Sequence, residues 1–457
     1  MLHGLLDTKS VLIFFGVVVL ASNYFMFTMS QNELAPTEDQ SILFFQGSAP
    51  RTATFDYLAE FAEQYQDAAE SVPEYSETFM ILGGLSPDTV FGGFKMVPTS
   101  ERERSQTQVQ GEITGKFTPN PGLDTAVFPR PSLPGSGGGL PVQFVLTTSA
   151  SYEALDSMAN QMIGQAMQSG NFLFLKKSVE FDRPMTTVEV DRDKAADLGI
   201  TMANLGSSLS GMLGGGYVNR FNLDGRSYKV IPQVDRPFRL SAERLQDYYI
   251  ETPAGEQVPL SSLVTLRDSV VPSARNQFQQ LNALTLEGIP RPGVPLGDAL
   301  GYLENMADQL LPANYNVDYT GQSRQFANQG SALVLTFFLS ILVIYLVLAV
   351  QFESWRDPAI ILVSVPLSIA GALAFITLGF ATVNIYTQVG LITLIGVVAK
   401  NGILIVEFAN NLQINKGLGK RDAVEEAAAI RLRPIIMTSL ALIMAMVPLL
   451  IASGPGA

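Results

Sequence analysis

The sequence predicts an α+β membrane protein in which a bundle of transmembrane α-helices carries one large region of strands and helices outside the bilayer. Three observations predict it. Five apolar runs are long enough, or nearly so, to cross a bilayer as helices. Residues 31–330, between the first and second runs, alternate strand-like and amphipathic segments. Charge divides along the same boundary: residues 31–330 hold 35 Asp and Glu against 21 Lys and Arg, while the rest of the chain holds 7 against 8.

That division explains an otherwise odd composition, a mean hydropathy of +0.23 beside a formal net charge of -13 over 457 residues. Some three domain-lengths of chain rule out a single small module. An acidic block with no basic run lacks the positive face that nucleic acid requires. With no Cys and a single His, His3, thiol catalysis, disulfides and His- or Cys-ligated metals are excluded or nearly so.

The apolar runs are 11–29, 331–350, 358–379, 388–410 and 434–452. The first exceeds the usual length of a signal-peptide core, and no small-x-small site follows Met29, so it reads as a retained span. Lys416, Lys420, Arg421, Arg431 and Arg433 lie within 411–433, which places that loop in the cytoplasm. Counting spans back puts Glu353 to Arg356 inside, Phe380 to Ile385 outside, residues 30–330 outside and Lys9 inside. Pro434 then reads as a helix-start residue. The chain ends at Ser453-Gly-Pro-Gly-Ala457, just after the fifth span, and this ending reads as a truncation.

The exported block repeats a strand–helix–strand pattern. The first cycle is 41–46, helix 54–71 and 79–84; the second is 141–147, helix 151–168 and strands near 172–181 and 185–191; the third is 282–288, helix 296–311 and 315–320. Repeats of this kind suggest small α/β sandwiches with helices on one sheet face. Residues 192–278 differ in texture, with a small-residue helix at 201–213, a Gly run and a hairpin signal at Asp224-Gly225. They read as an inserted subdomain, the alternative being a continuation of the sandwich. Gly135 to Gly139, Gly214 to Gly216 and Thr114-Gly115-Lys116 lack the spacing that cradles phosphate and read as loops or chance matches.

One charge is out of place. Lys400 lies in the middle of the fourth span, where a Lys costs about 2.5–3.5 kcal/mol on insertion scales and faces a partner or a water path. Thr393, Gly396, Lys400 and Glu407 form one polar or small stripe at helical spacing. The other four spans contain no Asp or Glu, so a counter-charge for Lys400 has to come from elsewhere. On the fifth span Thr438, Ala441 and Ala445 share a side, with Arg431 two turns before Thr438; the simple alternative for Thr438 is a hydroxyl bonded to its own helix backbone.

The run Gly390-Leu-Ile-Thr-Leu-Ile-Gly-Val-Val-Ala-Lys-Asn-Gly-Ile-Leu-Ile-Val-Glu-Phe-Ala-Asn410, followed by Arg431-Leu-Arg-Pro-Ile-Ile-Met-Thr-Ser439, resembles the C-terminal half of resistance-nodulation-division (RND) efflux pumps of the hydrophobe/amphiphile class. Glu38-Asp39-Gln40, Tyr217-Val218-Asn219 with Gly225-Arg226, and Phe352-Glu353-Ser354-Trp355 resemble the same half. The resemblance implies a trimeric inner-membrane antiporter that moves protons inward as drugs move out, working with a periplasmic adaptor and an outer-membrane channel. It implies a transmembrane half-bundle and a periplasmic region of ferredoxin-like βαβ sandwiches with an inserted docking subdomain. The implied division is 1–30, first helix; 31–140, porter subdomain; 141–190 with 279–325, second porter subdomain; 191–278, docking subdomain; and 330–457, four further helices.

By motif position the resemblance assigns Lys400, Asn401, Arg431 and Thr438 to a proton relay whose paired Asp residues sit on a helix of the other half. It assigns Phe79, Phe94 and Phe128 to a drug pocket, against the plain alternative that each Phe is sandwich core. Gly83-Gly84-Leu85-Ser86-Pro87 departs from the family's aromatic-rich loop. No cofactor, metal or catalytic residue is implied. Two other classes of function fit parts of the sequence. A proton-driven protein-export accessory has no need of the Ala-Lys-Asn and Arg-Leu-Arg-Pro motifs together, and a membrane-anchored periplasmic binding module has no use for Lys400.

Overall fold

The chain opens on a 21-residue apolar helix, α1 (Lys9–Met29). The computed structural model describes residues 7–84, 86–119, 122–134 and 139–452; His3, Leu85, the Gly-rich loop at 135–138 and the chain end at 453–457 lie outside the described residues.

Six elements then build the first sandwich: β1 (Ile42–Ser48), α2 (Phe55–Glu70), β2 (Tyr75–Leu82), β3 (Thr89–Met96), α3 (Gln106–Phe117) and β4 (Asp124–Pro129). The sheet order is β2-β3-β1-β4 and every pair is antiparallel. Thr54 caps α2 by accepting from the Tyr57 amide, and Ser105 with Gln108 makes a reciprocal capping box on α3. Leu58, Tyr65 and Ala69 of α2 and Val109, Ile113 and Phe117 of α3 pack on Leu43, Phe45, Val90, Phe94 and Met96. Each such fully buried Leu or Phe contributes about 1.5–3 kcal/mol. Both helices therefore cover one face of the sheet and leave the other without a helix. The sequence pattern predicts only the first half of this unit. Thr114-Gly115-Lys116 falls in the last turns of α3, a helix and not a phosphate loop.

The second sandwich begins with β5 (Val142–Thr148), α4 (Tyr152–Ser169) and β6 (Phe172–Lys177), and is interrupted by a separate compact unit, Glu180–Ala274. That unit contains β7 (Arg183–Val190), α5 (Arg192–Asp197), α6 (Met202–Leu213), β8 (Asn219–Leu223), β9 (Arg226–Val230), β10 (Tyr249–Glu251), β11 (Gln257–Pro259) and β12 (Val264–Val271). Asp224 and Gly225 join β8 to β9 with φ of 48° and 74°, the two left-handed positions that a tight hairpin turn demands. The expected boundary at 191 is corrected here. Strand β7 pairs along its whole length with β12, Arg183 opposite Val271 and Val190 opposite Val264, and joins the insert instead of the second sandwich.

The sandwich resumes with β13 (Gln277–Phe278), β14 (Leu281–Pro290), α7 (Leu296–Leu310) and β15 (Tyr315–Tyr319). Strand β14 pairs with β5, β6 and β13, and β5 pairs with β15, all antiparallel. Without the insert and the short β13 this is the βαββαβ order of the first sandwich again. Its core joins Phe144, Leu146, Leu284 and Leu286 to Leu155 and Met162 of α4 and to Leu300 and Leu303 of α7.

Four further apolar segments follow: α8 (Gly321–Phe352), α9 (Arg356–Leu362) continued by α10 (Ser364–Phe375), α11 (Ile385–Lys416) and α12 (Lys420–Leu450). With α1 they make five candidate spans by length and composition. The break at Val363 lies three residues before Pro366, whose ring crowds the carbonyl four residues back, at Leu362. Helix α12 starts at Lys420, so Pro434 lies inside it and the reading of Pro434 as a helix start is corrected. The charged stretch before Pro434 folds because Ala423 and Ala427 pack on Ala409 and Leu412 of α11, leaving the charges outward.

Two sets of contacts fix the ends of the bundle. Asp7 pairs with Arg421 at 2.8 Å, so the start of α1 and the α11–α12 hairpin share one end. At the other end the segment after α1 pairs with the loop before α11, Val383 N donating to Gln31 O at 2.8 Å and Glu33 N to Val383 O at 3.1 Å. The expected placement of the N-terminus on the same side as 411–433, and of 380–385 on the side of residues 30–330, agrees with which segments share an end.

Candidate functional site

The helix-free face of the first sandwich is aromatic. Side chains alternate along a strand, so residues of opposite parity on β1 and β3 face opposite ways. Phe45 points to the helices, and Phe44 points away from them. The Phe44 ring lies 5.5 Å from that of Phe91, 6.2 Å from Phe128 and 6.5 Å from Phe79, and Phe79 lies 6.3 Å from Phe91. Phe79 is 45% exposed, whereas Phe128 is 2% exposed, clustered with Ile289 and Phe174 of the second sandwich and with Leu140 of the segment that leads into it.

Two of the three expected pocket residues, Phe79 and Phe128, thus share a cluster, and the third does not. Phe94 stands opposite Leu43 on the helix-covered side, 0% exposed, with its ring 6.0 Å from Tyr75. It is three residues from Phe91, an odd step along one strand, and this puts it in the core. Phe44 and Phe91 take its place in the aromatic set, and sequence reasoning missed both; parity against Phe45 and Phe94 in an assigned sheet is the signal that finds them. At the C-terminal end of the Gly83–Pro87 stretch the Ser86 amide donates to Thr89 Oγ1 at 3.1 Å, and just beyond it Arg51 donates to Asp88 at 2.6 Å.

In the bundle, Ile395 and Ala399 of α11 are buried, and Ala399 packs with Leu348 of α8 and Ile361 of α9. Thr393, Gly396, Lys400 and Glu407 are all exposed, so the predicted stripe runs along the face of α11 that this chain leaves uncovered. Among the described residues Lys400 makes no hydrogen bond or ion pair. Asn401 beside it is half-buried. Thr438 is exposed, and its hydroxyl donates to the Ile435 carbonyl of its own helix at 3.1 Å. The Arg431 guanidinium lies on the ring of Phe408. The four expected relay residues therefore occupy one helical hairpin, and among the described residues no hydrogen bond or ion pair joins any two of them.

Two cavities accompany these surfaces. One of about 570 Å³, almost wholly apolar, lies between α1, α8, α10 and α11, with Asn23, Tyr24 and Gln388 its polar lining. A cleft of about 240 Å³ between the sandwiches is lined by Glu33, Arg130, Ile289 and Arg291, among others. Among the described residues no cluster of His, Asp and Glu has the make-up of a metal site.

Five helices long and apolar enough to cross a bilayer, with a β-rich region of paired βαββαβ sandwiches inserted after the first, are consistent with a multi-span α+β membrane protein that carries an aromatic surface on its β-rich region and a polar stripe on the uncovered face of α11. The chain belongs to the AcrB/AcrD/AcrF family, whose model matches residues 1–457, and its relatives are RND multidrug efflux transporters. It is 37% identical to an uncharacterized transporter of Haemophilus influenzae over 99% of this chain and 44% of that protein. It is 33% identical to the toluene efflux pump membrane transporter TtgB of Pseudomonas putida, over 96% and 43%. Identity to the multidrug export protein AcrF of Escherichia coli is 31%, over 96% and 44%. The chain thus spans less than half the length of these relatives.

Proposed function

We propose that the chain forms the C-terminal half of a proton-driven antiporter that exports hydrophobic and amphiphilic drugs across the inner membrane of a Gram-negative cell. The observation that carries this reading is Lys400 at the centre of an uncovered polar stripe on α11. An ammonium at that depth is tolerated where a carboxylate or a water path meets it. A carboxylate opposite Lys400 that gains and loses a proton would couple proton passage to helix movement. Relatives more than twice as long as this chain have room for the helices that supply such a group.

In this reading Lys400 is the charge that answers the proton, with Asn401, Thr438 and Arg431 along the same hairpin. Residues 31–330 are periplasmic. The two sandwiches are the ferredoxin-like porter subdomains, and their aromatic face, with Phe79 and Phe128 on it, receives the drug. The insert serves for docking towards an outer-membrane channel, a periplasmic adaptor surrounds the assembly, and three copies form the working unit. No bond chemistry is required of it, so it is a transporter and not an enzyme. The names of TtgB and AcrF support drugs and solvents as cargo.

The test is reconstitution of the chain together with its complementary half in liposomes bearing an imposed pH gradient. Dye should move against its gradient only while the pH gradient lasts. Dye movement that is indifferent to the gradient would remove proton coupling from the reading.

A further inference from the structure

Glu287 and Lys176 stand opposite each other on β14 and β6, and Ile289 and Phe174 stand opposite each other one step along. Leu284 and Leu286 of β14 and Leu175 of β6 lie in the helix-covered core, so by alternation these four side chains share the other face of the second sandwich. Ile289 and Phe174 are packed with Phe128 of the first sandwich, and Phe44 and Phe91 adjoin them. Lys176 carries that junction one step further, its Nζ donating to Ser48 Oγ at the end of β1 at 3.2 Å. Along β6 the second sandwich thus reaches the first by a closed apolar contact and, beyond it, by a lysine.

That lysine has a second acceptor within reach. Residues directly opposite on neighbouring antiparallel strands have Cβ atoms about 4.5–5.5 Å apart, well inside the span of a lysine stem. Glu287 nonetheless makes no hydrogen bond or ion pair among the described residues. Its other cross-strand neighbour, Gln143 of β5, is neutral, donates to the Leu140 carbonyl and accepts from Thr320. The adjacent Lys177 pairs with Asp156 of α4 at 2.6 Å, on the helix side. Arg130 and Arg291 line the cleft that meets Ile289, and Asp124 stands opposite Ser48, but among the described residues Lys176 is the one charge that acts on Glu287. Burial raises the Glu287 carboxyl above its usual range, and Lys176 opposes the rise.

Two acceptors of unequal strength therefore compete for one ammonium, a neutral hydroxyl on the first sandwich and a carboxyl on its own sheet. A charge-assisted bond to a carboxylate is about twice as strong as a bond to a neutral group. A half-buried carboxylate without a donor costs more than a neutral carboxyl in the same place. The observed geometry, with Lys176 on Ser48 and Glu287 unbonded, is the one that suits a neutral Glu287. We propose that Glu287 and Lys176 form a pH-sensitive latch between the two sandwiches. Protonated Glu287 leaves Lys176 on Ser48, and the latch is closed. Ionised Glu287 draws Lys176 back to its own sheet, and the latch opens. The packing of Phe174 and Ile289 on Phe128, one step along, is the pivot.

The experiment measures distances by double electron–electron resonance in the full chain in lipid nanodiscs. The chain has no Cys, so Thr52→Cys and Ser157→Cys place one spin label on each sandwich, at exposed positions just after β1 and on α4. In this otherwise unaltered chain the ratio of the close to the separated population should fall by about tenfold as pH rises through one transition above about pH 4.3, the ordinary Glu value. Glu287→Gln should hold the close population at every pH, and Lys176→Met the separated one. Ser48→Ala, which keeps both charges, should lose the close population in acid, and it decides the matter alone should Glu287→Gln fail to fold. A ratio indifferent to pH without these changes, a response that survives in Glu287→Gln, or a close population retained in acid by Lys176→Met or Ser48→Ala overturns the latch.

Discussion

The guanidinium carbon of Arg431 lies 4.7 Å from the centre of the Phe408 ring, and its Nε is buried without a hydrogen-bond partner among the described residues. Arg431 is thus held by an aromatic face on the neighbouring helix. The contact sits beside the packed base of the α11–α12 hairpin, where Ala409 and Leu412 meet Ala423 and Ala427. Beyond Arg431 no described residue of α12 is buried by this chain, so the hairpin base alone sets how α12 leaves α11.

Phe408→Leu should loosen that base by about 0.5–1 kcal/mol, the usual worth of an exposed cation–π contact. The chain has no Cys, so a pair introduced by Leu412→Cys and Ala423→Cys reports on the hairpin cleanly. Disulfide yield should fall when Phe408→Leu is added. An unchanged yield removes the ring as a support of the hairpin.

Lys400→Ala should abolish proton-coupled dye efflux in an assembled transporter while leaving expression and membrane insertion intact. The side chain is exposed on α11 and, among the described residues, makes no hydrogen bond or ion pair whose loss would unfold the hairpin. Cells expressing the variant should show the drug tolerance of a strain without the transporter. Tolerance at the wild-type level would show that Lys400 has no part in coupling.

The aromatic residues should separate by face. Phe94→Ala opens a cavity in the first sandwich and should cost about 3–5 kcal/mol, seen as loss of folded protein. Phe79→Ala, at a position 45% exposed, should cost less than about 1 kcal/mol and change tolerance unevenly across compounds. The measurements are yield of monodisperse protein and a panel of inhibitory concentrations. Equal behaviour of the two variants would erase the distinction between the sheet faces.

Acid should act on the first sandwich through Glu74. Arg104 Nε donates to Glu74 Oε1 at 2.6 Å, a second nitrogen donates to Oε2, and Arg104 also donates to Glu112 at 2.5 Å. The hydrogen bonds from Arg104 hold the Glu74 carboxyl below its ordinary range, and burial opposes them. The unfolded chain, with a Glu near about 4.3, therefore protonates first as pH falls. The stabilisation is present above that value and is lost as pH drops through the lowered folded one. Amide exchange in β2 and β3, corrected for intrinsic rates, should quicken between about pH 5 and about pH 3 in wild type. Glu74→Gln should begin less protected at neutral pH and change less across that window. Parallel profiles would exclude Glu74 as an acid-sensitive support.

The spans were legible because about twenty apolar residues in a row are a one-dimensional signal, and Lys400 was legible because one charge interrupts such a run. The strand–helix cycles showed wherever amphipathic spacing was strong, as at 54–71. They were hidden at β3, whose Gly92 and Gly93 dilute the pattern, and at α3, which buries only Gln106, Val109, Ile113 and Phe117. The helical start of α12 was hidden too, because Ala423 and Ala427 signal packing only once α11 lies beside them. By itself the sequence determined which segments are apolar enough to leave water and which charge interrupts one of them, since hydropathy and ionisation belong to each residue alone. Only the tertiary structure decided that Phe94 is core while Phe44 and Phe91 join Phe79 and Phe128, that β7 pairs with β12, and that Glu287 stands beside Lys176. Those outcomes depend on strand parity and on partners distant in the chain, and neither exists until the sheets have formed.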